Sequence, residues 1–460
     1  MQALKAYAEN FCAFLSSNIE SLKNYQALAD LSLAQFSRRS RFEHQLYITA
    51  RSVDEYLSAL SAYIAGNSQE NIYYCHQAVF ETTKTAFVYS GQGGQWAQMG
   101  KALMESEPAF LSAIESFDAE FKAVSGWSVI QEILKPEAET RIHETAIVQP
   151  AIVAIQIALT RLMEHYGVAP EGIVGHSIGE VSAAYIAGAI DLNQAATIIY
   201  HRARIQDKAS GKGKMLAIAI SAEEAEKLIE PHRDNLSVAT INSPKLVTLA
   251  GEENALVNIA AMMESKGIFN RFVKVDVPYH SHYMEPLREE LVATLDGFPT
   301  SALQLPLYST VTTNLHLPKI LPAIWYQNVR AAVRFVETIE RMLGDDYNTF
   351  IEISPHAVLS SGIKELFEQR KQKAVVAATM NRKTPESVHS FFNGVCAWLS
   401  TGHRIECQGG GGRHAKSKHV SLPSYPWQHQ AYWYENSEDK ARRTTQQAYP
   451  FLKASHQLVS

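Results

Sequence analysis

The 460-residue chain holds four cysteines, Cys12, Cys75, Cys396 and Cys407, with no C-x-x-C pair among them. Thiols this scattered exclude a disulfide framework and a cysteine-rich zinc site, so no metal is expected and a reducing compartment is. Long hydrophobic runs are also missing. No stretch of roughly 18 consecutive apolar residues is available to span a bilayer, which argues against a membrane partner. Basic blocks are short and the net charge is −5, so there is no positive field to draw nucleic acid. The first residues lack the basic, apolar and small-residue succession of a secretory signal, and a cytoplasmic location is expected. What is present is an ordinary globular mixture, 46% hydrophobic and 19% charged, long enough for one large domain and one or two smaller ones.

Residues 1–84 are rich in helix formers. Apolar residues recur at helical spacing in Leu4, Tyr7, Phe11, Phe14 and Leu15, and again in Val53, Tyr56, Leu57, Leu60 and Tyr63, which predicts two or three helices with a short strand near Phe42–Thr49. At Thr85 the pattern changes to a buried strand, Ala86–Tyr89, that ends in Ser-Gly-Gln-Gly-Gly. A long apolar helix, Ile147–Tyr166, precedes a second strand–turn–helix unit, Gly172–Val174 followed by Gly-His-Ser-Ile-Gly-Glu and Val181–Ala189. Strands alternating with helices imply a mostly parallel sheet covered on both faces. Between Met215 and Asp276 the order becomes strand (Met215–Ile220), helix (Ala222–Ile229), strands (Leu236–Ile241 and Leu246–Gly251), helix (Asn254–Lys266) and strand (Asn270–Val275). That β-α-β-β-α-β succession is the ferredoxin-like unit, here an insertion that forms one wall of a cleft. The α/β pattern resumes with a strand at Thr349–Ile353 and helices at Ala357–Gln369 and Glu386–Thr401. Beyond it come a tetraglycine at 409–412, the aromatic segment Leu422–Trp427, and a polar tail, Asn436–Gln447, expected to be disordered or a linker.

Chemistry concentrates at Gly175-His176-Ser177-Ile178-Gly179, a G-x-S-x-G sequence between a strand and a helix. So tight a turn needs glycine for close approach, exposes the serine Oγ, and aims backbone N–H groups and the helix N-terminus at a developing oxyanion. The N–H of Ile178 is one such donor; Gln92, in the glycine loop Gly91–Trp96, offers a second. That loop lacks the lysine of a P-loop and the spacing of a dinucleotide fingerprint. A serine needs a base, and Pro278-Tyr279-His280-Ser281-His282 follows the insertion with two candidates. No carboxylate is required as a third member, because a backbone carbonyl can hold the imidazole tautomer. Arg202, on the next helix, is suited to a bidentate grip on a substrate carboxylate.

Jointly these residues resemble the acyltransferase family of fatty-acid and polyketide synthases, and in particular the acyltransferase domain of a type I modular polyketide synthase, a relative of malonyl-CoA:carrier-protein transacylases. The resemblance rests on Gly91–Trp96, Gly175–Glu180, Arg202 placed 25 positions beyond the serine, the His280 segment, Asn242-Ser243-Pro244 and Glu352-Ile353-Ser354-Pro355-His356. It implies a large α/β-hydrolase-like subdomain with a parallel sheet over residues 85–212 and 278–402. A small ferredoxin-like subdomain is inserted at 213–277. An α/β linker domain at 1–84 resembles the one that follows a ketosynthase, 403–435 resembles a linker that wraps back after the acyltransferase, and 436–460 is an interdomain tail.

The same resemblance implies a ping-pong reaction. Ser177 attacks an acyl-CoA, His280 takes its proton, Gln92 and Ile178 N–H groups hold the oxyanion, and the phosphopantetheine thiol of an acyl carrier protein collects the acyl group. The pattern His-Ser-x-x-Met-x-Pro, met by His280, Ser281, Met284 and Pro286, selects His280 over His282. Arg202 faces the extender's carboxylate, with His176, Tyr279 and Asn242 also lining the acyl site. Ile178 resembles malonyl-selective members. The segment Val277-Pro278-Tyr279-His280 departs from both the His-Ala-Phe-His and Tyr-Ala-Ser-His forms; bulky Tyr279 leaves little room for an α-methyl, so malonyl-CoA is the expected substrate over methylmalonyl-CoA. No cofactor is expected to be bound, the neighbouring ketosynthase and downstream domains are expected partners, and the isolated fragment is expected to be a monomer. The rival readings are a serine thioesterase or hydrolase, which normally needs a later Asp and His, and an inactive docking module.

Overall fold

The computed structural model describes residues 1–76, 83–298, 301–312, 322–384, 388–404, 420–429 and 436–444. The tetraglycine, Cys407 and Tyr432–Trp433 lie outside them. At the centre is a five-stranded sheet, wholly parallel, in the order Val375–Ala378, Thr349–Ile353, Thr85–Tyr89, Gly172–Gly175, Leu307–Ser309. Every residue of Thr85–Tyr89 and of Thr349–Ile353 is buried, which is why Ala86–Tyr89 reads as a continuous apolar run. Successive side chains point to opposite faces, so Ala86 and Val88 join a core with Phe350 and Ile363, while Phe87 and Tyr89 join the larger one.

That larger core is built around the helix Thr145–His165, long and apolar enough to cross a membrane by length and composition, with 89% of its most apolar window buried in the fold. Two of its polar residues are tied to the end of the central strand and to helix Gly179–Ile186. Gln156 donates to the Ser90 carbonyl at 2.8 Å and accepts from Ser182 Oγ at 2.7 Å, and Thr160 pairs with the Tyr89 hydroxyl at 2.9 Å.

The inserted subdomain is a four-stranded antiparallel sheet in the order Leu236–Ser243, Leu246–Gly251, Lys214–Ile218, Asn270–Phe272. Helices Ala222–Ile229 and Glu253–Ser265 pack on it through a separate core that includes Leu216, Leu249, Leu256 and Ile259. Spatial order 2-3-1-4 of its four strands is the ferredoxin-like arrangement. Its first helix starts at a complete capping box, Ser221 with Glu224. The small sheet is tied to the large subdomain by a parallel bridge between Thr240, in strand Leu236–Ser243, and Val333, which follows helix Pro322–Arg330 and lies outside the five-stranded sheet.

Two expectations for the ends are amended. Residues 1–76 form four helices, Gln2–Ser17, the short Ile19–Leu22, Tyr25–Arg38 and Val53–Ala65, and strand His44–Ile48 has an antiparallel partner, Ile72–His76. That second strand is half exposed and does not alternate cleanly, so no period-2 signal marks it. Ser437–Thr444 is a helix rather than disordered chain. Asn436 caps it by accepting the Asp439 N–H at 2.9 Å, and Glu438 and Asp439 occupy the first turn, where the helix dipole favours acids. The described part of the aromatic segment lies against the N-terminal unit: Tyr425 packs on Phe42 at 5.1 Å, Leu422 joins that unit's core, and Arg39 donates to the Pro423 carbonyl at 2.5 Å.

Candidate active site

Strand Gly172–Gly175 passes through His176, Ser177 and Ile178 straight into helix Gly179–Ile186. A Cβ on Gly175 would sit 2.4 Å from the backbone of Glu180, and one on Gly179 would sit 2.2 Å from the Tyr89 carbonyl oxygen. Both contacts are with backbone, which cannot swing away. Gly179→Ala is therefore expected to destabilise the fold by about 3 kcal/mol or more; urea unfolding that shows a loss under about 1 kcal/mol would refute this steric account. Ser177 itself has φ of 53°, a left-handed conformation unusual for a residue with a Cβ and typical of strained functional turns.

His280 also has positive φ, 58°, where the chain re-enters from the insertion. Its Nε2 is 2.9 Å from Ser177 Oγ and its Nδ1 is 2.8 Å from the Ala331 carbonyl. A carbonyl only accepts, so Nδ1 carries the hydrogen and Nε2 presents a lone pair to the serine hydroxyl. Burial, and then the nearby cation of Arg202, lower the pKa of His280 to about 3. The ring is neutral at physiological pH and able to accept a proton. Among the described residues no hydrogen bond joins His282 to Ser177, and its ring lies tilted against that of Tyr283, with centroids 4.2 Å apart.

Arg202 is 1% exposed. Nη1 donates to Gln149 Oε1 at 2.7 Å and Gln206 Oε1 at 2.9 Å, Nε and Nη2 both donate to Asn328 Oδ1 at 3.3 and 3.1 Å, and Nη2 reaches Ser177 Oγ at 3.3 Å. Each of these partners is a neutral amide or hydroxyl. Burial pulls its pKa down to about 10, which still leaves it cationic at neutral pH. A buried guanidinium with only neutral partners is a site prepared for an anion.

The remaining sequence candidates surround this pair. Gln92 lies beside the Gln149 amide, 3.4 Å away, and among the described residues neither its N–H nor that of Ile178 donates to a protein acceptor. Tyr279 is buried and shares a 2.7 Å hydrogen bond with Thr145 Oγ1; burial raises its pKa. His176 pairs through Nε2 with Asn242 Oδ1 of the small subdomain at 2.8 Å, and burial lowers its pKa.

Sequence reasoning missed Gln149, Gln206, Asn328 and the Ala331 carbonyl, and gave Glu180 and Glu352 no role. A usable signal existed for the first of these: a glutamine inside an otherwise apolar helix must find a buried partner. Glu352 accepts the N–H groups of Val358, Leu359 and Ser360 at 2.7–3.2 Å, which holds the loop Ser354–Val358. That loop backs the glycine loop, since a Cβ on Gly94 would lie 2.9 Å from the His356 carbonyl and Trp96 donates to the Pro355 carbonyl at 3.1 Å.

The profile of the acyl transferase domain family matches residues 86–404. The chain is 34% identical over 358 residues to Erythronolide synthase EryA3 of Saccharopolyspora erythraea, covering 75% of this chain and 11% of that protein. It spans between 8% and 22% of the length of the curated relatives it matches. Its structure is similar to the acyltransferase domain from module 8 of the salinomycin polyketide synthase, with 28% identity, a TM-score of 0.75, and coverage of 83% of this chain and 95% of that one. A malonyl-transacylase solved in complex with a type II acyl-carrier protein is 27% identical, with a TM-score of 0.59 and coverage of 66% of this chain and 98% of that one.

Proposed function

We propose that this chain, which belongs to the acyl transferase domain family and is an acyltransferase domain of the kind found in modular polyketide synthases, moves a malonyl extender from coenzyme A to a carrier-protein thiol through Ser177. The observation that carries the reading is the pairing, at one point, of a serine within 2.9 Å of a neutral histidine and a buried arginine whose described partners are all neutral.

In the acylation half, Ser177 Oγ attacks the thioester carbonyl carbon as its proton passes to His280 Nε2. The oxyanion is held by the N–H groups of Gln92 and Ile178 at the N-terminus of helix Gly179–Ile186. The tetrahedral adduct collapses, the C–S bond breaks, and the imidazolium returns the proton to the departing thiolate of coenzyme A. Imidazolium so close to Arg202 is a high-energy cation, which favours that return. The second half repeats the steps in reverse: the phosphopantetheine thiol gives its proton to His280, the sulfur attacks the acyl ester, and Ser177 Oγ leaves with the proton. Arg202 grips the free carboxylate throughout.

Malonyl is favoured over bulkier extenders because the Tyr279 ring is buried and tethered to Thr145, and so occupies space an α-substituent would need. The carrier protein, the ketosynthase and the other domains of a larger synthase are the proposed partners, in the cytoplasm, with no bound cofactor. The isolated chain is proposed to be monomeric; a stable dimer in light scattering at micromolar concentration would overturn this.

Intact-mass spectrometry after brief mixing with a panel of acyl-CoAs tests the core of the reading. A malonyl-sized increment is expected on the wild type and not on Ser177→Ala. No increment from any thioester, with no free coenzyme A released, would sink the acyl-enzyme mechanism.

A further inference from the structure

Glu180, one turn beyond Ser177, is the acid whose charge acts on Arg202, and among the described residues the two form no ion pair. Asn328 stands between them. Its Oδ1 accepts the Nε and Nη2 donors of Arg202 at 3.3 and 3.1 Å, while its Nδ2 donates to Glu180 Oε2 at 3.0 Å and to the Ser177 carbonyl at 3.0 Å. The other carboxylate oxygen of Glu180 is occupied by Ser309 Oγ, Thr310 N and Thr310 Oγ1, at 2.8–3.0 Å. All of these groups are buried: Asn328 and Arg202 are each 1% exposed and Glu180 is 6% exposed.

A carboxylate in direct contact with the guanidinium would satisfy it with a bidentate pair and leave a substrate's carboxylate to compete with a resident one. An amide has both ends polar and no net charge. Its oxygen orients the arginine and its nitrogen satisfies the acid, so guanidinium and carboxyl group share a hydrogen-bond chain without pairing; burial raises the pKa of Glu180, and the donors from Thr310, Ser309 and Asn328 oppose that rise.

We propose that Asn328 is a positioning residue that keeps the Arg202 charge unpaired for an incoming acyl carboxylate, by holding Glu180 one amide away from the guanidinium. The inference rests on the reading of Arg202 as the carboxylate grip. It assigns to one side chain the discrimination between dicarboxylic and simple acyl thioesters, through Arg202 and without contact to the substrate. It also explains why the arginine is cradled by Gln149, Gln206 and Asn328, three amides from three helices.

The test transposes the charge. In the double variant Glu180→Gln/Asn328→Asp the two side chains keep their shapes and total charge, the Gln nitrogen can donate to the Asp, and of the contacts made by Asn328 only the bond to the Ser177 carbonyl is lost. The carboxylate now faces Arg202. Affinities for malonyl-CoA and acetyl-CoA are measured by titration calorimetry in the Ser177→Ala background, so that no turnover intervenes. The ratio of the two affinities is expected to fall by roughly ten- to a hundredfold, the range of a buried charge-assisted hydrogen bond, with acetyl-CoA binding little changed. A merely structural role for Asn328 would weaken both ligands together. Asn328→Ala is the second variant: without the amide, Arg202 is freed toward Glu180 and the ratio is expected to fall in the same direction. If the ratio survives in both variants yet collapses in Arg202→Ala, the proposal is overturned and the arginine grip stands. If it survives in Arg202→Ala as well, both fail.

Discussion

Replacing His280 with alanine is expected to lower kcat/KM for acyl transfer by roughly three orders of magnitude, the range for removing the base that activates a serine nucleophile. The reason is geometric. With Nδ1 committed to the Ala331 carbonyl at 2.8 Å, Nε2 is the proton acceptor available to Ser177 Oγ, 2.9 Å away. His282→Ala, by contrast, is expected to change kcat/KM little, because among the described residues the hydrogen bond to the serine hydroxyl comes from His280. A stopped-flow measurement of coenzyme A release reads both variants, and equal losses from the two would contradict the assignment of the base.

The pH profile gives the same test a second handle. Since burial and Arg202 lower the pKa of His280 to about 3, acylation is expected to hold its rate well below pH 6.5, where an ordinary histidine base would already be titrating out. Stability carries the opposite sign. Between its unfolded pKa near 6.5 and its folded value near 3, the unfolded chain binds a proton on this residue that the folded chain does not. Stability is therefore fully present above pH 6.5 and falls as the pH drops through that window. A kinetic limb centred at pH 6.5 in rapid single-turnover assays would refute the shift.

Removing the other pole of the site gives the second large effect. Arg202→Ala is expected to cost malonyl-CoA roughly a hundredfold in kcat/KM while leaving acetyl-CoA nearly as good a substrate as before, so that the preference narrows or reverses. The magnitude follows from burial: at 1% exposure the guanidinium meets a carboxylate out of reach of screening water. Competition between the two thioesters for one enzyme sample measures the ratio directly, and an unchanged malonyl preference would remove Arg202 from the substrate site.

The part of the molecule legible in the sequence is the part decided by short-range geometry. Helix Ala222–Ile229 and strand Leu246–Gly251 have the residues their periodicity predicts, and the whole inserted unit follows from its succession of elements. The turn at Ser177 is equally local, because Gly175 and Gly179 are required by contacts that a Cβ could not make. Where local signals were weak the reading slipped. Ile72–His76 is a half-exposed strand without clear alternation, and Ser437–Thr444 is so polar that its helix depends on the cap at Asn436 and the acids of its first turn.

By itself, then, the sequence determined the strand–turn–helix that presents Ser177, the glycines it demands, the inserted β-α-β-β-α-β unit, and the resemblance that singled out His280 and Arg202. Tertiary structure alone decided what those residues experience. Gln149 and Asn328 reach Arg202 across 53 and 126 positions, Asn328 reaches Glu180 across 148, and Ala331 reaches His280 across 51. Such partners leave no periodic trace, since an amide or a carbonyl is chosen for where the fold places it and not for what it contributes to its own helix. Charge state and pKa follow the same division: composition supplies an arginine, a histidine and a glutamate, and only the fold surrounds the first with neutral partners, lowers the pKa of the second by burial, and sets the third one amide away.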